Sequence, residues 1–133
     1  MPADHANLPT NNCMKGLVLT GHGGPECLEF RDDLPIPELS SGDVLIRVSA
    51  VAVNNTDINT RLGWYSKGDN NAQDAGWNGE ALQFPRIQGA DVCGTIIAVG
   101  TNVDPGRIGQ RVLIEPSLVE ANGDRLALSL IHI

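Results

Sequence analysis

Apolar and polar positions alternate most clearly over "DVLIRVSAVAV", residues 43–53, where Val44, Ile46 and Val48 are interleaved with Leu45, Arg47 and Ser49. Period two with β-branched side chains predicts a half-buried strand. "MKGLVLT" (14–20) predicts a short strand that stops at the turn cluster Gly-His-Gly-Gly-Pro. "CLEFRD" (27–32) puts Leu28 and Phe30 on one face and Glu29 and Arg31 on the other. "VCGTIIAVG" (92–100) reads as a buried strand closed by the turn "TNVDPG". "GQRVLIEP" (109–116) reads as a further strand, with Val112 and Ile114 on one face. "DLPIPELSSGD" (33–43) is too rich in proline and turn residues for an inner strand.

One segment breaks the period. "NNTDINTRLG" (54–63) starts with polar cap candidates, has an acid in its first turn and ends in Gly63. That predicts a two-turn helix with Gly63 just past its end. Residues 63–88 form a long loop without a clear period, carrying Trp64, Tyr65 and Trp77. A loop of that length in a compact domain is functional or mobile. Residues 1–13 are polar and predict a disordered lead-in. Short strands, frequent turns and one short helix predict a mainly β fold, a barrel or sandwich.

Composition sharpens this in a few places. At 133 residues the chain suffices for one domain with a core. Apolar residues at 41% and charged residues at 19% fit a globular protein. A net charge of −7 supplies no basic patch, which argues against nucleic acid and anionic membranes as partners. The three cysteines are widely spaced, with no C-x-x-C, so neither a disulfide framework nor a zinc ribbon is supported. A reducing, cytoplasmic setting follows, and neither a secretory signal nor a spanning run is present. No G-x-G-x-x-G opens a helix after a strand, and no phosphate-binding P-loop occurs. A nucleotide cofactor would therefore be gripped by other residues.

The order of these elements resembles the medium-chain dehydrogenase/reductase family. The resemblance rests on G-D-V-L-I-R-V (42–48), the polar corner Asn54-Asn55-Thr56-Asp57, P-R-I-Q-G (85–89), G-T-I-I-A-V-G (94–100) and G-Q-R-V (109–112). It covers roughly residues 14 to 116. It implies a GroES-like, partly open β-barrel with one short helix and a long loop, placed on the substrate side of the enzyme. It also implies a Rossmann domain, absent from these residues, that binds NADP(H).

The resemblance turns "GADVCG" (89–94) into a test of metal chemistry. Zinc-dependent members take a Cys at the position of Asn54 and a His at that of Ala90, followed by a Glu where Asp91 stands. Asn is a poor Zn²⁺ ligand and Ala has no donor atom. The chain is thus similar to the zinc-less, quinone oxidoreductase-like branch, with no metal site. That branch implies hydride transfer from NADPH to a small carbonyl, enone or quinone substrate, in a protein that is a homodimer at full length.

Without a Lewis acid, hydrogen-bond donors must stabilise the developing enolate. Asn54 is such a donor, or equally a corner residue holding the turn through its own side chain. Asp57 is a candidate catalytic group, though a first-turn acid favoured by the helix dipole accounts for it better. Asn59 stands where many relatives carry Tyr and is a candidate substrate contact. Trp64 and Tyr65 are candidates for the cleft wall, or for anchoring the loop by burial. Asp91 is expected to pair with backbone donors or with Arg61 or Arg86. Cys93 is expected in the core, and His22 is read as a turn residue that is neither ligand nor base.

The resulting partition is a lead-in (1–13), a GroES-like domain (14–126) and a tail (127–133) with no counterpart in the family pattern. As given, the chain is expected to be inactive for want of a hydride donor. Two other readings remain open: a stand-alone barrel acting as an interaction module, and a piece of a zinc-dependent alcohol dehydrogenase.

Overall fold

The computed structural model describes residues 13–66 and 82–114. Six strands and one α-helix occur among them, in the order β1 (Cys13–Leu19), β2 (Leu28–Pro35), β3 (Val44–Ala52), α1 (Asn55–Arg61), β4 (Arg86–Ile87), β5 (Asp91–Val99) and β6 (Arg111–Leu113). They make two three-stranded antiparallel sheets, β2-β1-β4 and β3-β5-β6. This is the mainly β, GroES-like arrangement that the sequence implies. No helix among the described residues is long and apolar enough to cross a membrane.

The strongest alternating segment forms the longest pairing. β3 runs against β5 from Val44↔Val99 to Ala52↔Asp91, with bulges between Leu45 and Ile46 and between Val48 and Ala50. Each bulge shifts the register by one and raises the local twist. Val92, Gly94 and Ile96 are the buried positions of β5, alternating as the pleat requires. Among the described residues, Val18, Leu19, Leu34, Val92 and Ile96 are the buried hydrophobic side chains, and Leu19 and Ile96 lose essentially all contact with water.

Several boundaries differ from expectation. Cys13, read as the end of the lead-in, opens β1 and pairs with Pro35. β2 continues into the proline-rich segment and ends at Pro35. β2 is an edge strand, so a residue without N–H is tolerated there. Phe30, expected on one face with Leu28, is 63% exposed. Leu34 fills the core from that strand instead. The segment read as one loop from 63 to 88 contains β4, which extends the first sheet by pairing with Val18 and Leu19. Trp77, the rest of the lead-in and the tail at 127–133 lie outside the described residues.

Candidate active site

The candidate site is the corner where β3 hands over to α1. β3 ends at Ala52, opposite Asp91, the first residue of β5. Two residues further on, Asn54 has extended backbone (φ −109°, ψ 165°) and caps α1. Its main-chain N–H donates to the Asp57 carboxylate at 2.8 Å, the backward half of a capping box. Its side-chain amide nitrogen donates to Asp91 Oδ2 at 2.6 Å, across 37 residues of sequence. The Gln88 amide donates to the Asp57 main-chain carbonyl at 3.1 Å, tying the approach to β5 to the same first turn.

The other end of the helix is also held. Leu62 is its C-cap, and Gly63 follows in the left-handed region (φ +65°). Glycine is favoured there because a Cβ would crowd the backbone, and here it would also meet His22 Cγ at 3.2 Å. His22 Nδ1 lies 2.9 Å from the Thr60 carbonyl oxygen, and its ring stands edge-on to Phe84 at 5.0 Å. Arg61 Nη1 donates to the Gly23 carbonyl at 2.7 Å, while Gly23 N–H donates back to the Arg61 carbonyl at 2.9 Å. A seven-residue helix is too short to be stable by itself. These contacts from the 22–24 turn and from residues 84–88 fix where it sits.

The structure therefore brings Asn54, Asp57 and Asp91 together. Asn59 lies half-buried further along α1. Trp64 and Tyr65 follow in a single 3₁₀ turn, Trp64–Ser66, their rings edge-to-face at 5.2 Å. Trp64 keeps 55% of its surface in water. A shallow, mostly apolar groove runs from Asp91 along the ends of β3, β5 and β6, lined among others by Val51, Ala52, Cys93, Leu113 and Ile114. Neither aromatic lines it.

Three expectations about single residues change. Asp91 is held by Asn54, and Arg61, one of its expected partners, is engaged by Gly23 instead. Arg86, the other, is partly buried with no partner for its Nε among the described residues, and burial pushes its pKa down. Cys93 is half-buried rather than core, opposite Ala50 and Leu113. His22 is half-buried and structural, not a turn-exposed side chain. Gln88 carries a single signal in sequence, its place just before Gly89 at the entry to β5.

As a metal corner the donor set is poor. Asn54 presents its amide nitrogen to Asp91, and an amide N–H₂ has no lone pair for a cation. Ala90 contributes no donor. Among the described residues, no three His, Cys, Asp or Glu side chains converge.

The alcohol dehydrogenase GroES-like domain family matches residues 40–127, about two thirds of the chain. The quinone oxidoreductase of Lama guanicoe is 33% identical over 99 residues, covering 74% of this chain and 26% of its own length. The human quinone oxidoreductase is 31% identical over 105 residues, with 79% and 28% covered. Among solved structures, a Sinorhizobium meliloti protein assigned as an alcohol dehydrogenase superposes with a TM-score of 0.70 at 41% identity, with 84% of this chain and 31% of that one covered. The chain thus spans little more than a quarter of the length of the curated relatives it matches. Strand order, the helix-capping corner and these matches together make the chain a member of the alcohol dehydrogenase GroES-like domain family, within the medium-chain dehydrogenases/reductases.

Proposed function

We propose that this chain is the substrate-side domain of a zinc-independent, NADP(H)-dependent reductase of quinones, enones or related small carbonyl compounds. One observation carries the reading. The residue at the corner where zinc-dependent relatives place a thiolate is an amide, Asn54, whose nitrogen is turned to a carboxylate at 2.6 Å. That pair has the chemistry of a hydrogen-bond donor and its orienter, not of a cation cage.

The residues do the following in this reading. Asn54 donates an N–H to the substrate carbonyl oxygen and stabilises the negative charge that grows there as the alkene or quinone is reduced. Asp57 fixes the Asn54 main chain and is a structural partner rather than a proton donor. The apolar groove beside Asp91 takes the hydrophobic body of the substrate. Asn59 lies on the same helix and faces the substrate side, whereas Trp64 and Tyr65, outside the groove, anchor the turn that follows. These residues include no glycine-rich turn that grips a dinucleotide, so NADP(H) is bound by sequence beyond them and supplies the hydride from there. The isolated chain is then inactive. The complete protein works as a cytoplasmic homodimer without nucleic-acid or membrane partners, in keeping with its net charge of −7.

The test uses the complete polypeptide. NADPH oxidation is followed with 1,4-quinones and with α,β-unsaturated ketones, for the wild type and for Asn54→Ala. Loss of one oxyanion donor lowers kcat by roughly 100-fold. No turnover with any of these acceptors, or full activity in Asn54→Ala, refutes the proposal. So does tight NADPH binding by the isolated chain.

A further inference from the structure

We infer that Asp91 is a positioning residue for the reaction: it turns the Asn54 amide so that this side chain meets the substrate as a donor. The inference deepens the proposed function and rests on it.

An Asn side chain at a corner can present either its oxygen or its nitrogen to what binds there. The two differ by a flip about the last side-chain bond, and nothing in Asn itself prefers one. Only a donor stabilises a developing enolate; the amide oxygen would repel it. An ionised carboxylate accepts hydrogen bonds and gives none. With Asp91 Oδ2 at 2.6 Å, the nitrogen faces Asp91 and the oxygen is left to the Asp57 main-chain N–H, the forward half of the capping box. One N–H is thereby used, and the second stays on the same nitrogen, directed away from the carboxylate.

The rest of the corner makes this orientation stiff. The main-chain N–H of Asn54 is tied to Asp57 at 2.8 Å. Asp91 is set opposite Ala52 by the β3–β5 register, two residues from Asn54. Both partners thus stand on framework elements, the last pair of a long ladder and the first turn of a helix clamped at both ends. A donor held by rigid elements needs no reorganisation as charge develops. The carboxylate also polarises the shared amide, at the cost of a negative charge near the growing oxyanion. The hydrogen-bond acceptor, rather than its charge, is therefore what the reaction needs from position 91.

That distinction sets the experiment. Asp91→Asn keeps an acceptor oxygen at the same place and removes the charge, whereas Asp91→Ala removes both. In the complete polypeptide with NADPH and a 1,4-quinone, Asp91→Ala is expected to lower kcat by about 10- to 100-fold, as a misdirected donor does. KM for NADPH and the melting midpoint should change little. Asp91→Asn is expected to retain kcat within about threefold, the size of an imperfect hydrogen-bond exchange. In ¹⁵N-edited NMR spectra, one Asn54 side-chain proton should be shifted and slow to exchange in the wild type and in Asp91→Asn. Full kcat in Asp91→Ala overturns the role, as does a loss in Asp91→Asn of tenfold or more. If Asp91→Ala does not fold, the wild-type spectrum decides: Asn54 side-chain protons that are unshifted and exchange freely overturn the role. A wild-type protein without turnover sinks the reductase reading and this role with it, while an active wild type with an indifferent position 91 sinks this role alone.

Discussion

Gly94, the last residue of "GADVCG", is a position in the sheet beside the candidate site where a side chain has no room. It is buried in β5, opposite Val48 of β3 and Val112 of β6. A Cβ at this position would collide with the Arg47 carbonyl oxygen, and would lie 2.5 Å from Ile46 Cγ2 and 3.0 Å from the Arg47 carbonyl carbon. The isoleucine could turn aside, but the Arg47 backbone cannot. Restoring a contact distance of about 3.5 Å means parting the two strands by the better part of ~1 Å. Overpacking of this kind costs about 1–3 kcal/mol. Weakening one ladder hydrogen bond beside it adds about 1 kcal/mol. Gly94→Ala should therefore lose about 3 kcal/mol, against a total of about 5–15 kcal/mol for an ordinary domain. Gly42→Ala is the control, since a Cβ there meets nothing within 4 Å, and it should stay within about 0.5 kcal/mol of the wild type. Urea unfolding, monitored by circular dichroism with the slope held in common, measures both. A Gly94→Ala loss below about 1 kcal/mol would refute the close approach of β3 and β5 that the argument depends on.

Three further outcomes follow from single contacts. Asp57→Ala removes the carboxylate that receives the Asn54 N–H and should destabilise by about 1 kcal/mol in the same unfolding assay. An unchanged midpoint would deny the cap. Arg86→Met should be neutral or stabilising, because Arg86 Nε is buried without a partner among the described residues. A loss above about 2 kcal/mol would show that the guanidinium is engaged. Asp33 accepts from Arg31 Nε and Nη2 at 2.8 and 2.9 Å, and this hydrogen bonding holds its pKa below the usual carboxylate range. The stabilisation is thus present above the unfolded-state pKa of about 3.9 and lost as pH falls through the lower folded value. Both side chains are exposed, so the gap between wild type and Asp33→Asn should be small at pH 7, shrink with added salt and close in acid. A gap that widens in acid would contradict the sign.

Much of this architecture was legible in the chain, and the exceptions share a cause. β3 announces itself through period two and β-branched residues, β5 through a buried apolar run closed by a turn, and α1 through its polar start and Gly63. These are local signals. β4 is two residues long and flanked by irregular chain, so no periodicity could reveal it, and only its pairing with β1 makes it a strand. β2 outruns its proline signal because edge position, a tertiary fact, relaxes the rule. At the site, Asn54 and Asp57 could be read as a cap from their spacing of three. The Asn54–Asp91 bond could not, since it spans 37 residues and depends on the β3–β5 register. The substitutions at Asn54 and Ala90 pointed away from zinc in sequence. What fills the corner instead, an amide held by a carboxylate, is visible only in the fold.

In the proposed mechanism this corner works through a hydrogen-bond donor rather than a metal. It is tested most directly by measuring zinc content and NADPH-dependent quinone or enone reduction on one preparation of the complete protein, before and after exhaustive treatment with a chelator. Activity should survive the chelator, with zinc far below one equivalent per chain. Activity that disappears with the chelator and returns on adding Zn²⁺ would contradict it.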